Sequence, residues 1–150
     1  MANVALPAVT VRRATPADAS RIAELSGLLG YPADAAAIAA RLGRLLAREQ
    51  ELVLVAVPSG DPVAGWIHAA EQELLESGLR CEIVGLIVDP AHRGQGVGRR
   101  LVAGVEAWAA GRGLGIIGVR SNVARAESHP FYQRLGYVRT KTSHVYRKQL

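Results

Sequence analysis

Cysteine is almost missing from this chain. One residue in 150, Cys81, excludes an internal disulfide framework and a cysteine-rich zinc site. Aromatic residues are nearly as scarce, two Trp, four Tyr and one Phe, which is few for a protein that stacks on nucleic-acid bases. No apolar run reaches the roughly 18 residues that a membrane span needs. The Ala-rich stretch 33–40 follows Pro32 and is broken by Asp34. The segment Met1–Pro7 is too short and too weakly cationic for a secretory leader. There is no internal repeat, low-complexity tract or dividing linker. The expectation is a soluble, reduced, cytoplasmic chain with no membrane partner. Its length suits a single domain over 1–150, long enough to bury about 70% of its unfolded surface.

What is present is charge, and it is lopsided. The net charge is +5. Residues 1–78 carry six cations against nine acids, a net of −3, whereas residues 79–150 carry twelve against four, a net of +8. Sixteen of the eighteen cations are Arg. A basic half calls for an anionic partner: nucleic acid, a membrane surface or a phosphorylated small molecule.

The pattern along the chain reads β-α-α-β-β-β-α-β-α-β-β. Residues 10–14 form a short strand, and Pro16 opens a helix capped by Thr15 that stops near Gly27. A second helix runs over about 33–48. Residues 52–57 and 63–70 make an antiparallel hairpin across Asp61-Pro62. Residues 81–88 are apolar on both faces, the mark of a central strand. Val97, Leu101, Val105 and Trp108 are spaced as one face of a helix that closes at Gly111 and Gly113. A buried-type strand over 114–119, a short helix near 130–135 capped by Gly136, and strands at Val138 and Val145–Tyr146 complete the order. Only the β-α-β unit around 83–119 requires a parallel pair. The fold class is therefore α+β, a mixed and mostly antiparallel sheet covered by helices.

The stretch Val88-Asp-Pro-Ala-His-Arg-Gly-Gln-Gly-Val-Gly-Arg-Arg-Leu101 carries the chemistry. A strand ends, a glycine-rich turn follows and a helix begins, so unpaired helix-start amides and the helix dipole can cradle phosphate. Gly94, Gly96 and Gly98 clear the approach, and Arg93, Arg99 and Arg100 add charge. Neither G-x-G-x-x-G nor Gly-Lys-Ser/Thr fits. The spacing is R-x-x-G-x-G, at Arg93, Gly96 and Gly98. This motif resembles the pyrophosphate loop of the GNAT superfamily of acyl-CoA-dependent N-acetyltransferases. The element order resembles that fold over about 9–150. The stretch from Asn122 to Phe131-Tyr132-Gln-Arg-Leu-Gly-Tyr137 resembles the family's second pattern.

The resemblance implies helices on both faces of the sheet and a splayed parallel pair near 82–88 and 115–120. It implies acetyl-CoA as co-substrate, with no metal. The pantetheine arm would pair with backbone at Leu86, Ile87 and Val88, and Asn122 would contact it. The pyrophosphate would sit on Arg93, Gly94, Gln95, Gly96, Val97, Gly98 and Arg99. Glu82, eleven residues before Arg93, takes the position of a catalytic base, and Tyr132 that of the acid for the leaving thiolate. The implied reaction is direct attack by a primary amine, most simply on a small molecule, with nucleic acid demoted as a partner. A protein lysine or N-terminus as acceptor, and an acyl-CoA sensor without catalysis, are the alternatives. Self-association is common in the family and makes a homodimer an option. The acceptor would be shaped by 26–37, 66–80 and the last strands, with Tyr31, His68 and Glu71 as candidates. Plainer readings stand beside these. Cys81 suits a small buried hydrophobe, and His68 suits a satisfied sheet histidine better than a base. His129 suits a helix entry, His92 an exposed site, and Glu71, Glu73 and Glu76 a solvated face. The four histidines show no metal-ligand spacing.

Overall fold

The apolar run at 52–57 forms the second strand of a five-stranded sheet, in a computed structural model that describes residues 8–28, 30–126 and 128–150. The readings made for Met1–Pro7 lie outside those residues. Two compact units are distinguished, 1–120 and 121–150.

In the first unit the strands are β1 (Val9–Arg13), β2 (Glu51–Pro58), β3 (Gly65–Leu74), β4 (Gly78–Val88) and β5 (Ile117–Val119), side by side in that order. The pairs from β1 to β4 are antiparallel and β4–β5 is parallel. The helices of this unit are α1 (Ala19–Leu28), α2 (Ala35–Leu46) and α3 (Val97–Gly111), and α3 is the crossover between the parallel strands. Alternation along β2 assigns the faces. Val53 and Val55 pack with Ile22, Leu25 and Leu42 of α1 and α2. Leu54 points the other way, where a Cβ on Gly104 of α3 would come within 2.7 Å of it. Cross-strand partners share a face, so His68 and Trp66, opposite Val53 and Val55, lie on the α1/α2 face. Ile67, Leu101, Val102 and Val105 are fully buried under α3, each contributing on the order of 1.5–3 kcal/mol of burial.

Local chemistry sets the helix ends. Asp18, closing a 3-10 turn at Pro16–Asp18, accepts the Thr15 N–H at 2.7 Å and leads into α1. Asp34 accepts the Ala36 N–H at 3.0 Å, so α2 starts at Ala35 rather than 33. α1 runs past Gly27 and closes through Gly30 N–H to Gly27 and Tyr31 N–H to Ser26. α3 closes in the same pattern, Gly113 to Ala110 and Leu114 to Ala109. Leu114 is thereby spent on the helix end, and β5 begins at Ile117 rather than 114.

The second unit holds α4 (Ser128–Arg134), closed by Gly136 N–H to Gln133 and Tyr137 N–H to Tyr132. The two final strands expected at Val138 and Val145–Tyr146 do not form: among the described residues no strand follows β5. Val138, Val145 and Tyr146 are exposed, interspersed with Arg139, Lys141, Arg147 and Lys148. β propensity without a partner ladder makes no strand.

Candidate functional site

β4 is central for only part of its length. Its register with β5 covers Cys81–Ile117, Glu82–Gly118 and Ile83–Val119 and then ends. There the register with β3 slips. His68 faces Gly85 while Ala69 faces Ile83, leaving Val84 as an extra residue. The bulge kinks β4, β5 ends at Val119, and among the described residues 84–88 are paired on the β3 side alone. Leu86, Ile87 and Val88 lie in this stretch. The Ile87 side chain is buried in the α1/α2 core, so at Ile87 backbone is what the strand offers a ligand.

The strand leads directly into the glycine-rich turn. Asp89 accepts the Ala91 N–H at 3.0 Å and starts a 3-10 turn at Pro90–His92. Gly94 and Gly96 both have φ of +78°, a region that side chains disfavour. Nothing lies within 4 Å of a Cβ placed on either, so the cradle is open there. Arg100 N–H is the first to reach a helical carbonyl, that of Gly96 at 3.0 Å. The first-turn amides of Val97, Gly98 and Arg99 therefore have no intrahelical acceptor. Arg93 and Arg99 are exposed, and Gln95 is half-buried with a sealed, unpaired Oε1. The open amides and the two guanidinium groups fit a pyrophosphate, whereas the Gln95 Oε1, an acceptor, does not. Arg100 does not add to them as expected, because its guanidinium donates to the Val9 carbonyl at 2.7 Å.

A clamp that the sequence reading missed fixes this turn. Arg21 of α1 donates from Nη2 to Asp89 Oδ2 and from Nε to the Val63 carbonyl, both at 2.8 Å. The Ala91 amide, followed by Arg21, holds the Asp89 carboxyl below its usual range against the opposing effect of burial. His92 is not exposed as expected. It lies between Asp61 and Asp89, at 3.6 and 3.7 Å.

Glu82 sits on the α1/α2 side of the sheet, in a row with Ala70 and Gly118. It is 6% exposed and its Oε2 has no hydrogen bond. Arg80 and Arg120 approach it at 3.5 and 3.9 Å. Glu51 pairs with Ala70 from the other side, so two carboxylates flank one alanine on this face. His68 Nε2 meets Glu51 Oε2 at 2.6 Å. Glu71 belongs elsewhere. It faces α3 and is bound by Arg112 at 2.5 Å, whose guanidinium covers the Trp108 ring. It is neither on the His68 face nor part of a solvated one. Cys81 is the buried hydrophobe expected, its thiol pushed up to about 11 by burial and then by Glu82.

In the second unit, Tyr132 packs edge-on against Phe131 and Tyr137, at 5.0 and 5.9 Å between ring centres. Burial raises its phenol above the ordinary value, only partly offset by Arg125, so it holds its proton at neutral pH. Asn122 Oδ1 accepts the Ala124 N–H at 2.9 Å in a local turn, three residues beyond β5. His129, in the first turn of α4, reaches the Asn122 carbonyl at 3.1 Å.

Known proteins share both the sequence pattern and this arrangement. The profile described as "Acetyltransferase (GNAT) family" matches residues 23–137. An aminoglycoside N(6')-acetyltransferase type 1 from Stenotrophomonas maltophilia is 30% identical over 147 residues, 95% of each chain. Among solved structures, a transcriptional regulator from Bacillus halodurans C-125 superposes with a TM-score of 0.80 at 25% identity, covering 95% of this chain and 99% of that one. The aminoglycoside N-acetyltransferase AAC(6')-Iy in complex with CoA reaches a TM-score of 0.85 at 20% identity, covering 96% and 97%.

Proposed function

The chain belongs to the acetyltransferase (GNAT) family, and from this premise we propose that it carries an acetyl group from acetyl-CoA to a primary amine of a small, multiply cationic acceptor. The observation that carries the proposal is the open turn at Gly94–Arg99, set at the end of a strand whose 84–88 backbone is unpaired on one edge. The aminoglycoside-acetylating relative supports a polyamine-like acceptor, as do Glu51 and Glu82, which flank Ala70 on one sheet face. Because the family profile runs through the boundary between the two units, we take 1–150 as one acetyltransferase domain.

In this reading the amides of 94–99 hold the pyrophosphate, and Arg93 and Arg99 neutralise it. Backbone of 86–88 lines the pantetheine arm, and Asn122 contributes its NH2 group. Acetyl-CoA supplies the activated thioester. An alkylammonium has a pKa of roughly 10 and must lose a proton before it can attack. Glu82 draws the ammonium and opens the route by which its proton leaves, directly or through water. Tyr132, kept protonated by burial, serves as the acid for the departing thiolate.

The test is release of free CoA thiol with a panel of aminoglycosides, linear polyamines, arylamines and lysine peptides, alongside thermal melting with acetyl-CoA. Acetyl-CoA at 100 times its Kd should stabilise the fold by about 2.7 kcal/mol. No shift at millimolar acetyl-CoA would sink the site assignment. A shift with no thiol release from any amine would favour a sensor, and release with lysine peptides alone would move the acceptor to protein.

A further inference from the structure

We propose that His68, held by Glu51, is where the proton of the acceptor's ammonium ends. The inference rests on the amine-acetylation reading above and completes the proton route that Glu82 opens. The two side chains come from neighbouring strands and meet diagonally, Val53 facing His68 and Ala70 facing Glu51. The Nε2–Oε2 distance is 2.6 Å, with side-chain exposures of 24% and 18%. An ionised carboxylate only accepts, so Nε2 must carry the hydrogen. That fixes the tautomer and leaves the lone pair on Nδ1. Nδ1 has no hydrogen-bond partner among the described residues.

The pair is reached from solvent, since both side chains keep part of their surface exposed. The β4 residue facing His68 is Gly85, and the Trp66 ring fills the space its side chain would take, 2.9 Å from a Cβ placed there. Trp66 Nε1 and Glu82 Oε2, on the same face, are both sealed and unpaired.

The step balances without a further reactant. One N–H bond of the ammonium breaks, a Nδ1–H bond forms, and a neutral amine and an imidazolium result. Glu51 remains a carboxylate and stabilises the imidazolium, which later returns its proton to solvent.

The charged groups around His68 are few. From β2 comes Glu51, and from β4 come Glu82 and Arg80, with Arg120 beside them. α1 brings Arg21 and Glu24, which pair with each other at 3.0 Å. α2 brings Arg41 and Arg44, both exposed. α3 covers the opposite face.

The pH dependence of kcat/KM tests the proposal. A route ending on His68 ties the acid limb of that profile to the imidazole, so the limb responds to changes at His68 and at Glu51. His68→Asn should lower kcat at pH 7 by roughly 100-fold or more and abolish that limb. Glu51→Gln should move that limb to lower pH, because the imidazolium loses its carboxylate. Melting curves check that each variant folds. Independently of activity, nitrogen NMR of the His68 ring should report the Nε2–H tautomer. A Nδ1–H tautomer, or a His68→Asn variant that keeps the wild-type limb and rate, overturns the proposal. Wild type that binds acetyl-CoA yet acetylates no amine overturns the amine-acetylation reading instead, and the NMR tautomer still reports the dyad.

Discussion

Arg21 and Asp89 are 68 positions apart in sequence, yet Nη2 and Oδ2 are 2.8 Å apart. Asp89 also donates its own N–H to the Ala64 carbonyl at 2.7 Å. One ion pair thus ties α1, the connection before β3 and the first residue of the glycine-rich turn.

This pair should govern CoA affinity. Both side chains are largely buried, at 19% and 14% exposure. Removing one partner strands the other, at a cost of about 1–3 kcal/mol. Arg21→Met and Asp89→Asn should each lose stability of that order in urea unfolding. Each should also weaken CoA binding several-fold by calorimetry, since the amides of 94–99 are no longer held in place. Unchanged affinity in both variants would show that the turn keeps its shape without the clamp.

Gly118 offers a way to move Glu82 without changing it. A Cβ on Gly118 would fall 2.5 Å from Glu82 Oε2, closer than any real contact. Gly118→Ala should therefore displace the carboxylate from its place beside Arg80 and Arg120. The expected result is a fall in kcat of about 10-fold or more, with the melting temperature lowered far less than a core truncation would lower it. If kcat holds, the position of Glu82 is irrelevant to turnover.

Cys81 should be silent. Its thiol is fully buried and pushed up to about 11, and the thiolate is the reactive form. Native protein at pH 8 should show no titratable thiol with a disulfide reagent, and one per chain in denaturant. Acetyl transfer should survive treatment of the native protein with an alkylating agent.

Local signals carried most of the fold. The alternation at 52–57, the three-and-four spacing from Val97 to Trp108 and the R-x-x-G-x-G turn each depend on near neighbours, and each has its counterpart in β2, α3 and the turn before α3. The bulge at Val84 was not readable, because it exists only in the register against β3. The Arg21–Asp89 clamp and the Glu51–His68 pair join residues far apart in sequence, and no spacing rule announces them. The strands expected at 138 and 145–146 show the reverse failure: β-branched residues were legible, but the partner strand they need was not. Glu71 failed for a related reason. A one-residue step along β3 puts it on the opposite face from His68, where Arg112 claims it.

The pair Arg12–Asp18 makes stability depend on acid. Two guanidinium nitrogens reach the two carboxylate oxygens at 2.8 and 2.9 Å. The Arg12 hydrogen bond, then the Thr15 N–H, hold Asp18 below its usual range, outweighing burial, which acts in the opposite direction. In the unfolded chain Asp titrates near 3.9. The ionised form is favoured by folding, so its contribution is complete above about pH 4. It is lost as pH falls through the lower folded value. Asp18→Asn should cost on the order of 1 kcal/mol at pH 7, discounted because Arg12 is 42% exposed. Wild type and variant should draw together only as pH falls through that lower value. Urea unfolding at pH 7, 5 and 3 measures the difference, and a gap that stays constant across that range would assign the stability to packing rather than to charge.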